Sequence, residues 1–183
     1  MRIGFCGSMN TGKSTLVHAL RDVPKLGGYK FQTERSKLLQ SRGIKLNNDS
    51  TLLGQTVFMA ERASELMSEN IITDRTIIDI MAFTKCADSI NYVDAEAFCD
   101  YCNLLLGEYD YLFYIAPEER IPLVSNGVRS VDPEYIKLID TTINYYLVKY
   151  HHKIKNLIII EGMTAKERVQ FVLEHIFPDI YKK

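Results

Sequence analysis

The sequence predicts an α/β domain of three layers, in which helices cover both faces of a mostly parallel five-stranded sheet. Three observations lead there. Five short apolar runs show almost no polar alternation, as strands buried on both faces do. Amphipathic segments separate consecutive runs, the order that builds a parallel sheet. The first run passes through a glycine-containing turn directly into a helix. With 183 residues, 46% hydrophobic and 25% charged, the chain can form one full core. No linker, repeat or low-complexity tract divides it, so one domain over 1–183 is expected.

The first strand is the apolar run 3–6, and Leu16, Val17 and Leu20 share one face of the helix that begins at Lys13. Pro24 and the pair Gly27-Gly28 end that helix in a turn. Residues 29–32 suit a second strand, followed by a polar helix over 34–40 that Arg42-Gly43 stops. Asn47, Asn48, Asp49 and Ser50 offer a cap for a long helix. Leu52, Leu53, Thr56, Met59, Ala60, Ala63, Leu66 and Met67 recur along one side of it. Its successor, the β-branched run 71–73, is a third strand. Helices are expected over 77–84 and 94–106, and a fourth strand over the aromatic run 111–115. A polar segment, 117–133, separates that strand from a helix carrying Ile136, Ile139, Ile143, Tyr146, Leu147 and Tyr150 on one stripe. The run 157–160 is the fifth strand, and Val169, Val172, Leu173 and Ile176 mark the last helix. Nothing in this pattern gives the order of strands within the sheet.

Composition excludes some roles. A net charge of -1 gives no support to a broadly basic nucleic-acid binder. No apolar run reaches the roughly 18 to 20 residues that cross a bilayer, so no membrane partner is expected. The start reads as a strand rather than a signal peptide, which implies a soluble cytoplasmic protein. Cys99 and Cys102 share a helical turn but lack a second ligand pair, so packed thiols account for the four cysteines better than zinc.

Gly7-Ser8-Met9-Asn10-Thr11-Gly12-Lys13-Ser14 matches the Walker A pattern without departure, between a strand and a helix. Successive backbone N–H groups in such a turn form a nest for phosphate oxygens, and the helix N-terminus adds to the field. Lys13 is expected to reach the outer phosphates and Ser14 to ligate Mg2+. Thr15 lies at the start of the helix. The motif specifies nucleoside-triphosphate binding rather than a reaction. A guanine-reading Asn-Lys-x-Asp segment is absent after the fourth strand, and the chain is short for a motor ATPase. Phosphoryl transfer to a small acceptor remains the reading the motif favours.

Residues just past parallel strand ends face a ligand crevice. Asp74-Arg75 stands there, an acid that can orient a metal or hold an acceptor hydroxyl beside an arginine that can grip a phosphate. Glu34 follows the second strand at the same edge, and either Glu34 or Asp74 can serve as base. Gln55 and Phe58, three apart on the long helix, can read and stack against a base. Within the polar segment 117–133, a candidate lid, Arg120 and Arg129 bracket a loop rich in Asn, Gly, Ser and Val; Arg120 can bind the substrate and Arg129 can neutralise charge on the transferred group.

Together, the Walker element, Thr33-Glu34-Arg35-Ser36-Lys37, Ile72-Thr73-Asp74-Arg75-Thr76-Ile77-Ile78-Asp79 and Asn126-Gly127-Val128-Arg129-Ser130 resemble the P-loop kinase family typified by the NadR-like ribosylnicotinamide kinase domain, an AAA-type relative of thymidylate and deoxynucleoside kinases. The resemblance runs over 3–176. It implies a five-stranded parallel P-loop fold, ATP with Mg2+, a small nucleoside or nucleotide acceptor, and an adenine site around Gly162 and Thr164. Bifunctional members carry an adenylyltransferase domain in front that is not expected here, which weakens the case for nicotinamide riboside. A nucleoside or nucleoside monophosphate kinase is therefore expected. A ribosylnicotinamide kinase, a kinase acting on a base or end in nucleic acid, and a non-catalytic ATP-binding regulator are the alternatives. The sequence leaves a homodimer open.

Overall fold

The structure, a computed structural model, describes residues 1–33, 35–118, 121, 127 and 130–181. Five parallel strands form one sheet in the order β2-β3-β1-β4-β5: β1 (Arg2–Cys6), β2 (Lys30–Gln32), β3 (Ile71–Asp74), β4 (Tyr111–Ile115) and β5 (Leu157–Ile160). After β1 the chain builds β2 and β3 on one side, then crosses to build β4 and β5 on the other. The order thus reverses at β1, and all five C-terminal strand ends lie along one edge. Ligands of open parallel sheets bind in the crevice at such a switch point.

Strand pleating sends successive side chains to opposite faces. Ile3 and Phe5 pack with Ile72 and Phe113 against Leu16, Val17 and Leu20 of α1 (Lys13–Arg21) and Val172 and Leu173 of α7 (Ala165–Ile176). Cys6, Leu112 and Tyr114 pack on the other face against α4 (Ile77–Lys85), α5 (Tyr92–Cys102) and α6 (Pro133–Lys149). Residues Ile77 to Thr84 are buried all round, which places α4 at the centre of its layer. At Gly4 an added Cβ would stand 2.6 Å from Thr76 Cγ2 and 2.7 Å from the Tyr109 ring. The missing side chain lets the start of α4 press against β1.

The strands and most helices match the expectation, with boundaries moved by one to three residues. Four points differ. Thr51, not the 47–50 cluster, caps α3 (Leu52–Glu65), accepting a bond from Gly54 N at 3.1 Å; Asn47–Asp49 is a separate 3-10 turn. The apolar stripe foreseen on α3 is not its buried face: Leu53 and Met67 are 76% and 82% exposed, whereas Gln55, Arg62 and Glu65 are buried. This helix borders the crevice as well as the core, so its inward face carries polar groups. The helix expected over 94–106 gives way after Cys102 to a 3-10 segment, Asn103–Glu108. A short α8 (Pro178–Tyr181) follows α7, and α2 (Ser36–Ser41) begins two residues later than expected. All four cysteines are free, with Cys6, Cys99 and Cys102 buried, as packed thiols should be. Among the described residues no helix is long and apolar enough to cross a membrane, and no His/Cys/Asp/Glu group is placed to hold a metal alone.

Candidate active site

The 7–14 turn leaves β1 and enters α1 with three residues in the left-handed half of backbone space: Gly7 (φ 145°), Asn10 (φ 59°) and Gly12 (φ 87°). At Gly7 a side chain would also collide with Ile115 O, 2.5 Å from the position of its Cβ. Glycine is the residue type that meets both demands. Ser8, Met9 and Thr11 are buried, so the loop is supported from below as well as shaped by its backbone. Lys13 Nζ donates to Gly7 O at 2.6 Å, Ser8 O at 2.5 Å and Thr11 Oγ1 at 3.1 Å, lying across the loop it serves.

Ser14 Oγ donates to Asp74 Oδ2 at 2.5 Å. Sixty residues apart in sequence, the two sequence-identified magnesium ligands converge because β1 and β3 are neighbours with Phe5 opposite Asp74. A hydroxyl and a carboxylate are hard oxygen donors, suited to Mg2+, which takes one or two protein ligands and completes its shell with phosphates and water. The residues present therefore fit that ion.

Arg75 has φ 77°, a conformation that non-glycine residues rarely adopt. Its N–H donates to Phe5 O at 3.0 Å, and its guanidinium lies 4.7 Å from the centroid of the Phe83 ring. Arg75 lines two spaces at once: the small pocket over the 9–15 loop and a narrow cavity of about 40 Å³ beside it. That cavity, between α3 and α4, also holds Ser50, Gln55, Phe58, Asp79 and Phe83. Gln55 and Phe58 are thus brought together with Arg75, with Phe83 as a second ring.

Asp79 and Arg168 were not among the sequence candidates. The Asp79 carboxylate accepts from Gly7 N at 3.2 Å, Thr76 N at 2.7 Å and Thr76 Oγ1 at 3.0 Å. It ties the phosphate turn to the first turn of α4. Burial pushes its pKa up, while the charges of Lys13 and Arg75 pull it down. The signal that could have found it is the Thr-x-x-acid spacing of a capping box at Thr76 and Asp79. Arg168, 3% exposed, donates to Thr11 O at 2.6 Å, Glu118 Oε1 at 2.6 Å and Met163 O at 3.2 Å. Nothing in its sequence neighbourhood sets it apart from other helix arginines. Asp140, from α6, accepts from Tyr114 Oη at 3.0 Å, and burial raises its pKa against the pull of Ser8 and Lys13.

On the far side of the loop, a cleft of about 370 Å³ is lined by Thr15, Leu16, Ile121, Met163, Thr164 and Arg168 among others. Gly162, with φ 68°, makes the turn out of β5 that brings Met163 and Thr164 to this cleft. Glu34, Arg120 and Arg129 lie outside the described residues, as does most of the segment 117–133.

A family model described as an AAA domain matches residues 2–168. The chain belongs to that AAA domain family. No curated protein matches the sequence significantly. Among solved structures, this AAA domain is similar to deoxyadenosine kinase from M. mycoides with dCMP and dCDP bound, at 19% identity and a TM-score of 0.68, covering 98% of this chain and 100% of that one. Thymidylate kinase from Candida albicans follows at 18% identity and 0.66, covering 97% and 91%. NadR in complex with NR matches at 14% identity and 0.68, covering 99% of this chain and 52% of that one. At these identities the likeness is one of fold. The AAA domain here has the P-loop α/β architecture of nucleoside and nucleotide kinases.

Proposed function

We propose that this single P-loop domain transfers the γ-phosphate of ATP to the 5′-hydroxyl of a nucleoside, with Mg2+. One observation carries the acceptor choice: Arg75 is the one cation among the described residues of the α3–α4 cavity, and the Asp79 carboxyl stands beside it. A monophosphate brings a second dianion toward the triphosphate and calls for several cations. A neutral nucleoside calls instead for an apolar surface and a polar edge for its base, which Phe58, Phe83 and Gln55 offer.

In this reading the 7–14 backbone and Lys13 hold the phosphates, and the base of ATP lies in the cleft next to Gly162, Thr164 and Thr15. Lys13 exchanges loop carbonyls for outer phosphate oxygens. Ser14 and Asp74 would hold Mg2+, which would supply positive charge to neutralise the phosphates. With Asp74 committed to Ser14 and the metal, Glu34 takes the hydroxyl proton as the 5′-oxygen bonds to the γ-phosphorus and ADP leaves. Arg129, with Arg120, is the candidate to neutralise the charge spread across that group.

A second reading, a nucleoside monophosphate acceptor, is favoured by Arg75 lining both the phosphate pocket and the cavity. The deciding experiment measures ADP release from ATP with a panel of ribo- and deoxynucleosides, their monophosphates, nicotinamide riboside and an oligonucleotide. Nucleosides should stimulate release most. Stimulation by monophosphates alone would replace the first reading with the second, and ATP binding without acceptor-dependent release would overturn both in favour of a non-catalytic binder.

A further inference from the structure

The Arg62 guanidinium reaches from α3 to the end of β3. Its Nη1 donates to Asp74 O at 3.2 Å and its Nη2 to Glu65 Oε1 at 2.7 Å, with Arg62 and Glu65 4% and 8% exposed. The carbonyl it holds belongs to the peptide whose N–H, at Arg75, donates to Phe5 O. Both ends of one peptide plane are therefore fixed, one by β1 and one by α3. That plane stands between the carboxylate that meets Ser14 and the side chain that lines the cavity. Arg75 at φ 77° holds a strained backbone, which persists only where the surroundings over-determine it.

An arginine–carboxylate pair with no other duty favours a two-pronged grip. Here Arg62 gives Glu65 a single bond and turns another nitrogen to the carbonyl, and Glu65 Oε2 is buried with no hydrogen-bond partner among the described residues. Arg35, on the chain leading into α2, pairs with Glu61 at 3.5 Å one turn away. Arg62 thus divides its donors between the Glu65 carboxylate and the Asp74 carbonyl.

We infer that Arg62, anchored by Glu65, is the positioning residue of the Asp74–Arg75 corner: by holding the Asp74 carbonyl it aims the Asp74 carboxylate at Ser14 and Arg75 into the acceptor cavity. The inference rests on the assignment of Ser14 and Asp74 to Mg2+. It requires a hydrogen-bond donor at position 62, not a positive charge, and that sets it apart from a purely structural ion pair.

The test compares ATP affinity with and without Mg2+ by calorimetry in wild type and two double variants of folded, full-length protein. R62Q/E65Q keeps a donor for the carbonyl and should retain the magnesium enhancement within about twofold. R62M/E65Q has no donor and should lose about tenfold of it, or 1.4 kcal/mol. If R62M/E65Q does not fold, Arg62→Lys, which reaches the carbonyl or Glu65 but not both, should lose about threefold. Equal enhancement in wild type and the donor-less variant, equal loss in both doubles, or no magnesium effect in wild type would overturn the inference. Acceptor phosphorylation is assayed in parallel: if wild type phosphorylates nothing, the kinase reading fails while the magnesium ratio still judges Arg62.

Discussion

A buried arginine, Arg168, and a half-buried one, Arg75, flank the phosphate turn in different surroundings. Arg168 spends its donors inward, on the Thr11 and Met163 carbonyls and the Glu118 carboxylate. It lines a cleft with Leu16, Ile121, Met163 and Ala165, two threonines, Thr15 and Thr164, and Gly12. Arg75 instead lies over an aromatic ring, at the junction of phosphate pocket and cavity, on a backbone that is itself strained. The cavity beyond it holds Gln55 and Ser50, whose Oγ is buried with no hydrogen-bond partner among the described residues. One arginine is bonded to the loop it supports, and the other lines the phosphate pocket and the cavity. The difference teaches that a charge beside a cleft can serve the loop itself, as the three bonds of Arg168 show.

Four measurements sharpen or break this contrast. The largest effect is expected for Arg168→Met, which strands Glu118 and two loop carbonyls. It should cost about 3–5 kcal/mol of unfolding free energy by denaturant titration. A loss of ATP affinity with unchanged stability would show that Arg168 belongs to recognition after all. Arg75→Ala should cost about 2–5 kcal/mol in acceptor kcat/KM with ATP Kd nearly unchanged, the range for removing a buried charge partner. Arg75→Lys should not restore it, because an ammonium lacks the planar fork. Should ATP binding weaken and acceptor use stay intact, Arg75 serves the donor and the contrast collapses.

Gln55→Leu, close to it in volume, should lower acceptor kcat/KM by about 1–3 kcal/mol through the lost polar edge. It should also flatten the preference among bases, read from a panel of nucleosides. The smallest effect concerns pH. Burial, opposed by Arg62, pushes the Glu65 carboxyl up to about 7 from 4.5. The folded chain then holds a proton that the unfolded chain has released between those values. Stability should fall as pH rises from 4.5 to 7 and level off above it. Asp79, also raised by burial, acts in the same sense. Glu65→Gln should remove its part of the slope; an unchanged slope would place the titration elsewhere.

The phosphate turn, all five strands and the pairing of Asp74 with Arg75 were legible in the sequence because each rests on neighbours along the chain. A Walker pattern between an apolar run and a helix permits few arrangements, and a run such as 111–115 has too few polar residues for anything but a doubly buried strand. The inner face of α3 was not legible. Its apolar residues recur at helical spacing, yet Leu53 and Met67 face outward while Gln55, Arg62 and Glu65 face in. Periodicity assumes that inside means apolar, and next to a crevice that assumption fails.

Local chemistry thus determined, from sequence alone, that this chain has a parallel α/β sheet and a phosphate-binding turn, and where along the chain the turn lies. Tertiary structure decided the strand order, the meeting of Ser14 with Asp74 across β1 and β3, the Asp79 bridge to Gly7, and the different surroundings of Arg168 and Arg75. The physical reason is range. Turn geometry and strand propensity are settled by a handful of adjacent residues. A hydrogen bond spanning 60 or 157 residues of chain, as from Ser14 to Asp74 or Arg168 to Thr11, exists only once the layers have packed.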